Sequence, residues 1–215
     1  MGRKNIVFRE ILYRVIEKDE WYMTQKSIAE TCKVSLDTAN KVVKTLHNFK
    51  AVEKKPLGFR VVNLQKLLTY WACTRNMYKD ITYVTYSPDP ASKIERDLPK
   101  DAIFTAFSGY ARKFAEAPAY NEVYIYADSG AVKRMYPKKD VSRPNIIVLA
   151  PDPHLRALSE DGVAPLPQIY VDLWQIGSPK AERILVDLDR VLKTKPIEKF
   201  REMVLQWRAE KQKKT

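Results

Sequence analysis

Polar side chains of three kinds recur on one face of the helix that the sequence predicts after Ser35. They are amide, hydroxyl and ammonium groups, and they belong to Thr38, Asn40, Lys41, Lys44 and Thr45. An asparagine can bond two edge atoms of adenine, a threonine methyl can pack on thymine, and a lysine can reach guanine or phosphate. This set predicts a surface that contacts the major groove of double-stranded DNA.

A second group of basic residues follows directly, in a segment with the pattern of a β-hairpin. Residues 51–55 and 59–63 are predicted as two short strands, with Pro56-Leu57-Gly58 as the turn between them. Basic groups on such a ribbon can lie along the phosphate backbone and add salt-dependent affinity. We expect that contact from Lys54, Lys55 and Arg60.

The other chemically reactive residues form no catalytic or metal-binding pattern. Two cysteines and two histidines occur without a CxxC motif, so we expect no zinc site. No glycine-rich phosphate loop and no nucleophile elbow is found. Asp128 and Lys133 have a weakly nuclease-like spacing, but a turn and helix cap at Asp128-Ser129-Gly130 explains the segment better. We therefore predict no catalytic residues, no metal, no cofactor and no enzymatic activity.

Three helices and the hairpin would position the DNA-contacting residues. Apolar residues recur with a spacing near 3.6 in 5–16, which indicates an amphipathic helix. Thr24 is expected to cap a second helix and Ser35 a third. The order helix, helix, turn, helix, hairpin is that of a winged helix-turn-helix, which we assign to residues 1–63. A winged helix used only for protein contacts is the alternative.

Residues 64–192 alternate between strand-like and helical patterns after a helical connector at 64–77. The predicted strands are 81–86, 103–107, 122–127 and 145–150, and Ser108-Gly109 is expected to form a strand-to-helix turn and cap. The predicted fold class is α+β (mixed α/β). It consists of an N-terminal winged helix-turn-helix, a larger α/β domain at 64–192 and a basic C-terminal helix at 193–215.

Two parts of the chain resemble known families. Residues 27–46 resemble the winged-helix domains of bacterial and archaeal regulators. Two motifs, Thr105-Ala106-Phe107-Ser108-Gly109-Tyr110-Ala111 and Pro167-Gln168-Ile169-Tyr170-Val171-Asp172-Leu173, are followed by a helix at 180–185. These two motifs and the helix after them resemble the AbiEi-like antitoxin family of type IV (abortive-infection E) toxin/antitoxin systems. The resemblance implies an autorepressor that counters a cognate toxin resembling a nucleotidyltransferase.

Two other functions stay open for the second domain. A ligand-sensing repressor would line a pocket with the tyrosines and phenylalanines of 104–126. A DNA-associated enzyme would depend on the pair Asp128 and Lys133. An adjacent gene for a nucleotidyltransferase-like product would favour the antitoxin over the ligand sensor.

The net charge of +12 is concentrated at the two ends of the chain. Residues 1–63 carry 13 Lys and Arg against 7 Asp and Glu, and residues 193–215 carry 8 against 3. Residues 64–192 are almost neutral, with 17 against 16. This distribution predicts that the ends meet a polyanion and that the middle has a different partner. For the basic tail, docking on a toxin and a role in solubility alone stay open.

Localisation and assembly follow from the same sequence. The longest apolar stretches are far shorter than the ~20 residues of a membrane helix, and no signal-peptide pattern follows Met1. We therefore expect a cytoplasmic protein without membrane contact. A homodimer is expected on DNA, because palindromic operators call for two copies of such a domain.

Overall fold

The structure, a computed structural model, describes residues 2–114, 118–137 and 142–192. Its helices and two small sheets make a mixed α+β fold, which confirms the predicted class. The predicted basic helix at 193–215 lies outside the described residues. The division of the chain at residue 63 stays a prediction.

The first part of the chain forms three helices and three short strands. In chain order they are α1 (Arg3–Lys18), β1 (Tyr22–Met23), α2 (Gln25–Cys32), α3 (Leu36–Asn48), β2 (Val52–Lys55) and β3 (Gly58–Val61). Thr24 caps α2 by accepting a hydrogen bond from the backbone N–H of Ser27. Ser35 caps α3 by accepting one from the N–H of Thr38. Both predicted caps are thus confirmed.

The three strands pair in the order β1-β3-β2, and both pairings are antiparallel. β2 and β3 form the predicted hairpin, in which Lys55 pairs with Gly58 across a turn at Pro56 and Leu57. β1 has only two residues and was not among the predicted strands. It runs close to the hairpin, because a Cβ on Gly58 would lie 2.2 Å from the carbonyl oxygen of Met23.

The second part contains a four-stranded sheet with helices packed on it. Its elements are α4 (Leu64–Thr74), a 3₁₀ turn (Met77–Asp80), β4 (Ile81–Thr85), α5 (Ala91–Asp97), β5 (Ile103–Thr105), α6 (Ala106–Phe114), β6 (Val123–Tyr126), α7 (Ser129–Met135), β7 (Ile146–Leu149), α8 (Pro153–Leu158) and α9 (Leu166–Ile176). A further helix, α10, begins at residue 179 and is described as far as 192. The strand order is β4-β7-β6-β5, with β6 and β7 parallel and the outer pairs antiparallel. All four predicted strands are present.

The turn between β5 and α6 differs from the prediction. β5 stops at Thr105, and the chain turns at Ala106, which has a φ of 50°. Ser108 and Gly109, which we expected to form the turn and cap, lie buried inside α6. Gly109 allows close packing instead, because a Cβ there would lie 3.0 Å from the Cδ1 of Ile169.

One apolar core joins the two parts of the chain. Fully buried Ile11 and Leu12 of α1 belong to the same cluster as Ile169 and Leu173 of α9. A smaller cluster that includes Ile125 lies between the second sheet and the helices α5 and α7. Helix α1 therefore packs directly on α4 and α9 of the second part, and α2 and α3 pack on α1. Among the described helices, none has the length and apolar character to span a membrane.

Candidate nucleic-acid interface

Helix α3 has one buried face and one accessible face. The buried stripe consists of Ala39, Val42, Val43 and Leu46. The opposite face exposes Asp37, Asn40, Lys41 and Lys44, and Thr38 and Thr45 lie half-buried at its edges. The five helical residues predicted to contact DNA therefore share one surface.

These side chains differ in whether they already have partners. Lys41 Nζ lies 2.7 Å from Asp37 Oδ2, one turn earlier in the helix. Thr45 Oγ1 donates a hydrogen bond to the carbonyl oxygen of Lys41 at 2.9 Å, and Thr38 Oγ1 lies 2.9 Å from Ser35 Oγ. By contrast, the side chains of Asn40 and Lys44 have no hydrogen bond or ion pair within the described residues.

The hairpin emerges directly from the C-terminal end of α3. Lys50 adopts a left-handed conformation with φ 57°, and the N–H of Ala51 donates to the carbonyl oxygen of Leu46 at 2.9 Å. His47 Nδ1 lies 3.2 Å from the carbonyl oxygen of Val52, the first residue of β2. These contacts fix the base of the hairpin against the helix.

The basic residues of the hairpin lie on two different faces. Glu53 pairs with Arg60 across the strands, and Lys55 pairs with Gly58, so both positions belong to the outer face. Lys54 pairs with buried Phe59 and therefore belongs to the opposite face, where its side chain is exposed near the tip. The structure thus brings Lys55 and Arg60 together but separates Lys54 from them.

The outer face of the hairpin also carries an acidic group. Glu53 Oε1 lies 2.8 Å from Lys55 Nζ. The hydrogen bond from Lys55, helped by the charges of Lys55 and Arg60, holds the pKa of Glu53 below its usual value. A polyanion that approaches this face must therefore compete with an ionised carboxylate for Lys55.

Tyr22 is a candidate contact that the sequence reasoning missed. It pairs with Arg60 in the sheet and is 45% exposed. Its hydroxyl oxygen lies 3.1 Å from the point where a Cβ on Gly58 would be, so the ring follows the outer face towards the tip. The alternation of exposed Tyr22 and buried Met23 is a possible signal, but two residues are too few to establish a strand period.

A chain of polar contacts connects α2 with the second part. Arg14 of α1 donates from Nη1 to Ser27 Oγ at 3.0 Å and from Nη2 to Thr31 Oγ1 at 2.8 Å. Arg14 Nε also donates to Glu10 Oε1 at 2.6 Å. The other carboxylate oxygen of Glu10 lies 2.9 Å from His154 Nε2 on α8. Polar side chains of α1 therefore connect α2 with α8.

Arg9 extends these contacts deeper into the second part. Its fully buried guanidinium donates to Asp152 Oδ1 at 2.5 Å, to Gln168 Oε1 at 3.2 Å and to His154 Nδ1 at 3.2 Å. Gln168 Nε2 donates in turn to the hydroxyl oxygen of Tyr126 at 3.0 Å. The same network thus links α1, α8, α9 and β6.

Asp172 lies at the far end of this network and accepts four hydrogen bonds. Oδ1 accepts from Arg75 and from Gln168, and Oδ2 accepts from Thr105 at 2.6 Å and from Tyr126 at 2.9 Å. Arg75 and Asp172 are both fully buried, and Arg75 also donates to the Tyr126 hydroxyl at 2.7 Å. The carboxylate of Asp172, which belongs to the second motif, is therefore fully used in hydrogen bonds within the protein.

The buried charges in the network control one another's protonation. Burial alone would raise the pKa of Glu10, but hydrogen bonds with His154 and Arg14 outweigh it and lower the pKa below its usual value. Burial acts in the same direction on Asp152, and the charge of Arg9 likewise reverses the effect and lowers its pKa. Both carboxylates are consequently ionised at neutral pH.

The residues considered for other functions have structural partners. Asp128 caps α7 by accepting a hydrogen bond from the N–H of Ala131, which confirms the predicted cap. Lys133 lies over the ring of Tyr83 at 5.3 Å. Within the part of the chain that is described, no group of His, Cys, Asp and Glu residues could hold a metal ion.

The aromatic residues suggested for a ligand pocket pack largely on one another. The ring of Phe107 stacks on that of Tyr120, with centroids 5.8 Å apart, and lies 6.3 Å from that of Tyr124. Phe104 and Tyr126 are buried in the two apolar clusters. These rings therefore contribute to the core.

Helix α3 and the hairpin together present an accessible basic surface, with Tyr22 beside the hairpin. The chain matches no known protein-family model, no curated protein and no solved structure. Its function must therefore be inferred from its own residues and their geometry.

Proposed function

We propose that this chain is a DNA-binding transcription regulator with an N-terminal winged helix-turn-helix. In this proposal α2 and α3 are the helix pair, α3 is the recognition helix, and the β2–β3 hairpin is the wing. The observation that carries the proposal is the accessible face of α3. Within the described residues, Asn40 and Lys44 on this face lack side-chain partners, and a basic hairpin lies beside them.

The spacing of the two unpartnered side chains suits base recognition. Asn40 and Lys44 are four residues apart, so they project from the same side of α3 on successive turns. An α-helix fits the major groove of B-DNA, which is about 12 Å wide. There the amide of Asn40 can make two bonds to adenine, and the ammonium of Lys44 can reach guanine or phosphate.

The paired basic residues remain available to phosphate. Lys41 and Lys55 each hold an exposed ion pair, and such pairs contribute little because water and salt screen the two charges. A phosphate group can therefore replace the carboxylate at little cost. Lys54 and Arg60 are exposed, and neither side chain forms an ion pair within the described residues.

The second part of the chain is assigned the regulatory role in this proposal. Contacts through Arg9 and Arg14 join the DNA-binding helices to α8 and α9, so a partner bound to the second part could alter their position. Following the family resemblance, that partner is a cognate toxin and the chain is an autorepressing antitoxin. The proposal also includes action in the cytoplasm, a homodimer on DNA and no enzymatic activity.

Fluorescence anisotropy with the purified chain tests the DNA-binding proposal. The probes are the DNA from upstream of the chain's own gene and a scrambled duplex of the same composition, each at two salt concentrations. We expect tighter binding to the upstream DNA that persists at the higher salt. Equal, steeply salt-dependent binding to both duplexes would contradict sequence-specific regulation, because phosphate contacts alone behave in that way.

A pair of asparagine variants locates the interface. Asn40→Ala is expected to weaken binding to the upstream DNA and to reduce the preference over the scrambled duplex. Asn121→Ala is the matched control, since Asn121 is also exposed but lies in the second part of the chain. Equal effects of the two variants would contradict a recognition role for α3.

A further inference from the structure

Leu36, the first residue of α3, is a large apolar side chain that does not belong to the core. It is 50% exposed and lies outside the apolar cluster that contains Ala39 and Leu46 of the same helix. Ser35, directly before it, already caps α3 through its side chain, so the start of the helix does not depend on a leucine. The apolar surface of Leu36 therefore contributes little to the stability of the fold.

The position of Leu36 on the helix connects it with the surface proposed to contact DNA. Leu36, Asn40 and Lys44 are all exposed and are spaced four residues apart, so they project from the same side of α3 on successive turns. The N-terminal residues of a recognition helix are those that contact base edges in the major groove. Leu36 thus lies beside Asn40, whose amide has no partner within the described residues.

We infer that Leu36 packs on the methyl group of a thymine and is a specificity-determining residue of the proposed DNA-binding surface. This inference rests on the proposed function, since it requires α3 to lie in the major groove. The C5-methyl of thymine is the apolar group that base edges present in that groove, and apolar side chains recognise it by contact. Cytosine lacks this methyl, so contact with Leu36 favours a T·A pair over a C·G pair.

The threonines of α3 are less suited to the same contact. Thr38 is half-buried, and its hydroxyl oxygen lies 2.9 Å from Ser35 Oγ. Thr45 is also half-buried, and its hydroxyl donates to the carbonyl oxygen of Lys41. Each threonine has a single methyl group on a short side chain, whereas the side chain of Leu36 extends further and carries no polar group. Leu36 is therefore better placed than either threonine to contact a methyl group.

The spacing along the helix sets the distance between the two base contacts. Leu36 and Asn40 lie roughly 6 Å apart along the axis of α3, at about 1.5 Å per residue. Successive base pairs are about 3.4 Å apart along the duplex. The thymine should therefore lie within about two base pairs of the adenine that Asn40 contacts.

The test removes single methyl groups from the DNA. Deoxyuridine differs from thymidine only in lacking the C5-methyl and forms the same base pair. The probe is a duplex from upstream of the chain's own gene, in which each thymine of the segment that the full chain protects from nuclease is replaced in turn by deoxyuridine. We expect one replacement, near the adenine contacted by Asn40, to weaken binding of the wild type about fourfold, as burial of one methyl group contributes.

Leu36→Ala shows whether Leu36 contacts that methyl group. This variant should bind the unmodified duplex at least as weakly as the wild type binds the deoxyuridine duplex, and it should lose no further affinity when the same methyl is removed. Its salt dependence should equal that of the wild type, because no charge is removed. Leu36→Met retains a large apolar side chain and should keep the loss of affinity on deoxyuridine.

Val186→Ala is the matched control, because Val186 is 57% exposed on α10, in the second part of the chain. It should bind every duplex as the wild type does. The inference would be overturned if wild type and Leu36→Ala lost the same affinity at every deoxyuridine position, since the methyl effects would then arise from the DNA itself. It would also be overturned if no replacement weakened binding of the wild type, or if Leu36→Met behaved like Leu36→Ala.

Asn40→Ala distinguishes failure of this inference from failure of the proposed function. If Asn40→Ala weakens binding while Leu36→Ala responds to deoxyuridine like the wild type, the role of Leu36 is wrong and recognition by α3 stands. If neither variant differs from the wild type, or if the wild type does not bind the upstream duplex, both are wrong. Melting temperatures of all variants should match the wild type, since each replaced side chain is exposed.

Discussion

Two polar regions of this molecule differ in how their side chains are satisfied. In the buried network, Asp172 accepts four hydrogen bonds, which fills the capacity of its two oxygens. On the accessible face of α3, Asn40 and Lys44 have no partner within the described residues. Buried polar groups must form hydrogen bonds within the protein because water cannot reach them, whereas exposed groups remain available to bind a ligand. The first region should therefore govern stability and the second should govern binding.

The largest expected effect is the loss of Arg75 from the buried network. Arg75→Met leaves the carboxylate of Asp172 buried without its counter-charge, and breaking such a pair costs about 3–5 kcal/mol. Urea denaturation should show this loss in the free energy of unfolding. A companion double variant, Arg75→Met with Asp172→Leu, should be less destabilised than the sum of the single variants. An additive loss would contradict a direct ionic coupling.

The next effect concerns binding without a change in stability. Asn40→Ala should weaken binding to the upstream DNA by about 1–3 kcal/mol, because one bidentate base contact is lost. The urea concentration at the midpoint of unfolding should be the same for Asn40→Ala as for the wild type, since the side chain is exposed and unpartnered. If the free energy of unfolding fell by a similar amount, Asn40 would be stabilising the fold. The contrast between the buried network and the face of α3 would then not hold.

A smaller effect is expected at Lys44. Lys44→Ala should reduce the slope of log affinity against log salt by about one, because one phosphate contact is lost. Anisotropy titrations at several salt concentrations measure this slope. Lys93→Ala is a suitable control, since Lys93 is exposed on α5, where it pairs with Asp89 just before the helix begins. Equal slopes for wild type and Lys44→Ala would exclude a phosphate contact from Lys44.

The smallest effect is expected in acid. The pKa of Glu10 is lowered in the folded protein, so its ionised form stabilises the fold above the unfolded pKa near 4.5. That contribution is lost as the pH falls below about 5 and through the lower folded value. Compared with wild type, Glu10→Gln should lose less stability between pH 7 and pH 4 in urea denaturation. A parallel loss in both proteins would show that Glu10 does not contribute to the acid transition.

The local features of the fold could be predicted from the sequence. The caps at Thr24 and Ser35 and the turn at Pro56 depend on neighbouring residues, and all three are present. β1 was missed because two residues show no period. The turn before α6 was misplaced because its left-handed residue is Ala106, which has no marked preference for that conformation.

The buried network could not be predicted at all. Arg9 meets His154 and Gln168, which lie 145 and 159 residues away in the chain. Only the folded chain brings such residues together, and a lone arginine in an amphipathic helix gives no sign of its partner. The grouping of residues in the candidate DNA surface was easier to predict, because all its predicted residues belong to one helix and the hairpin next to it. Even there, the ion pairs of Lys41 and Lys55 and the opposite face of Lys54 became visible only in the structure.

The most direct test of DNA recognition by α3 observes the Asn40 side chain itself. In a ¹⁵N-labelled chain, the side-chain amide signals can be followed by NMR as the upstream duplex is added, with Asn40→Ala used to assign them. We predict that the Asn40 signals shift strongly and that their protons become protected from exchange with water, while those of Asn121 do not change. Binding of the duplex that leaves the Asn40 signals unaffected would contradict the account.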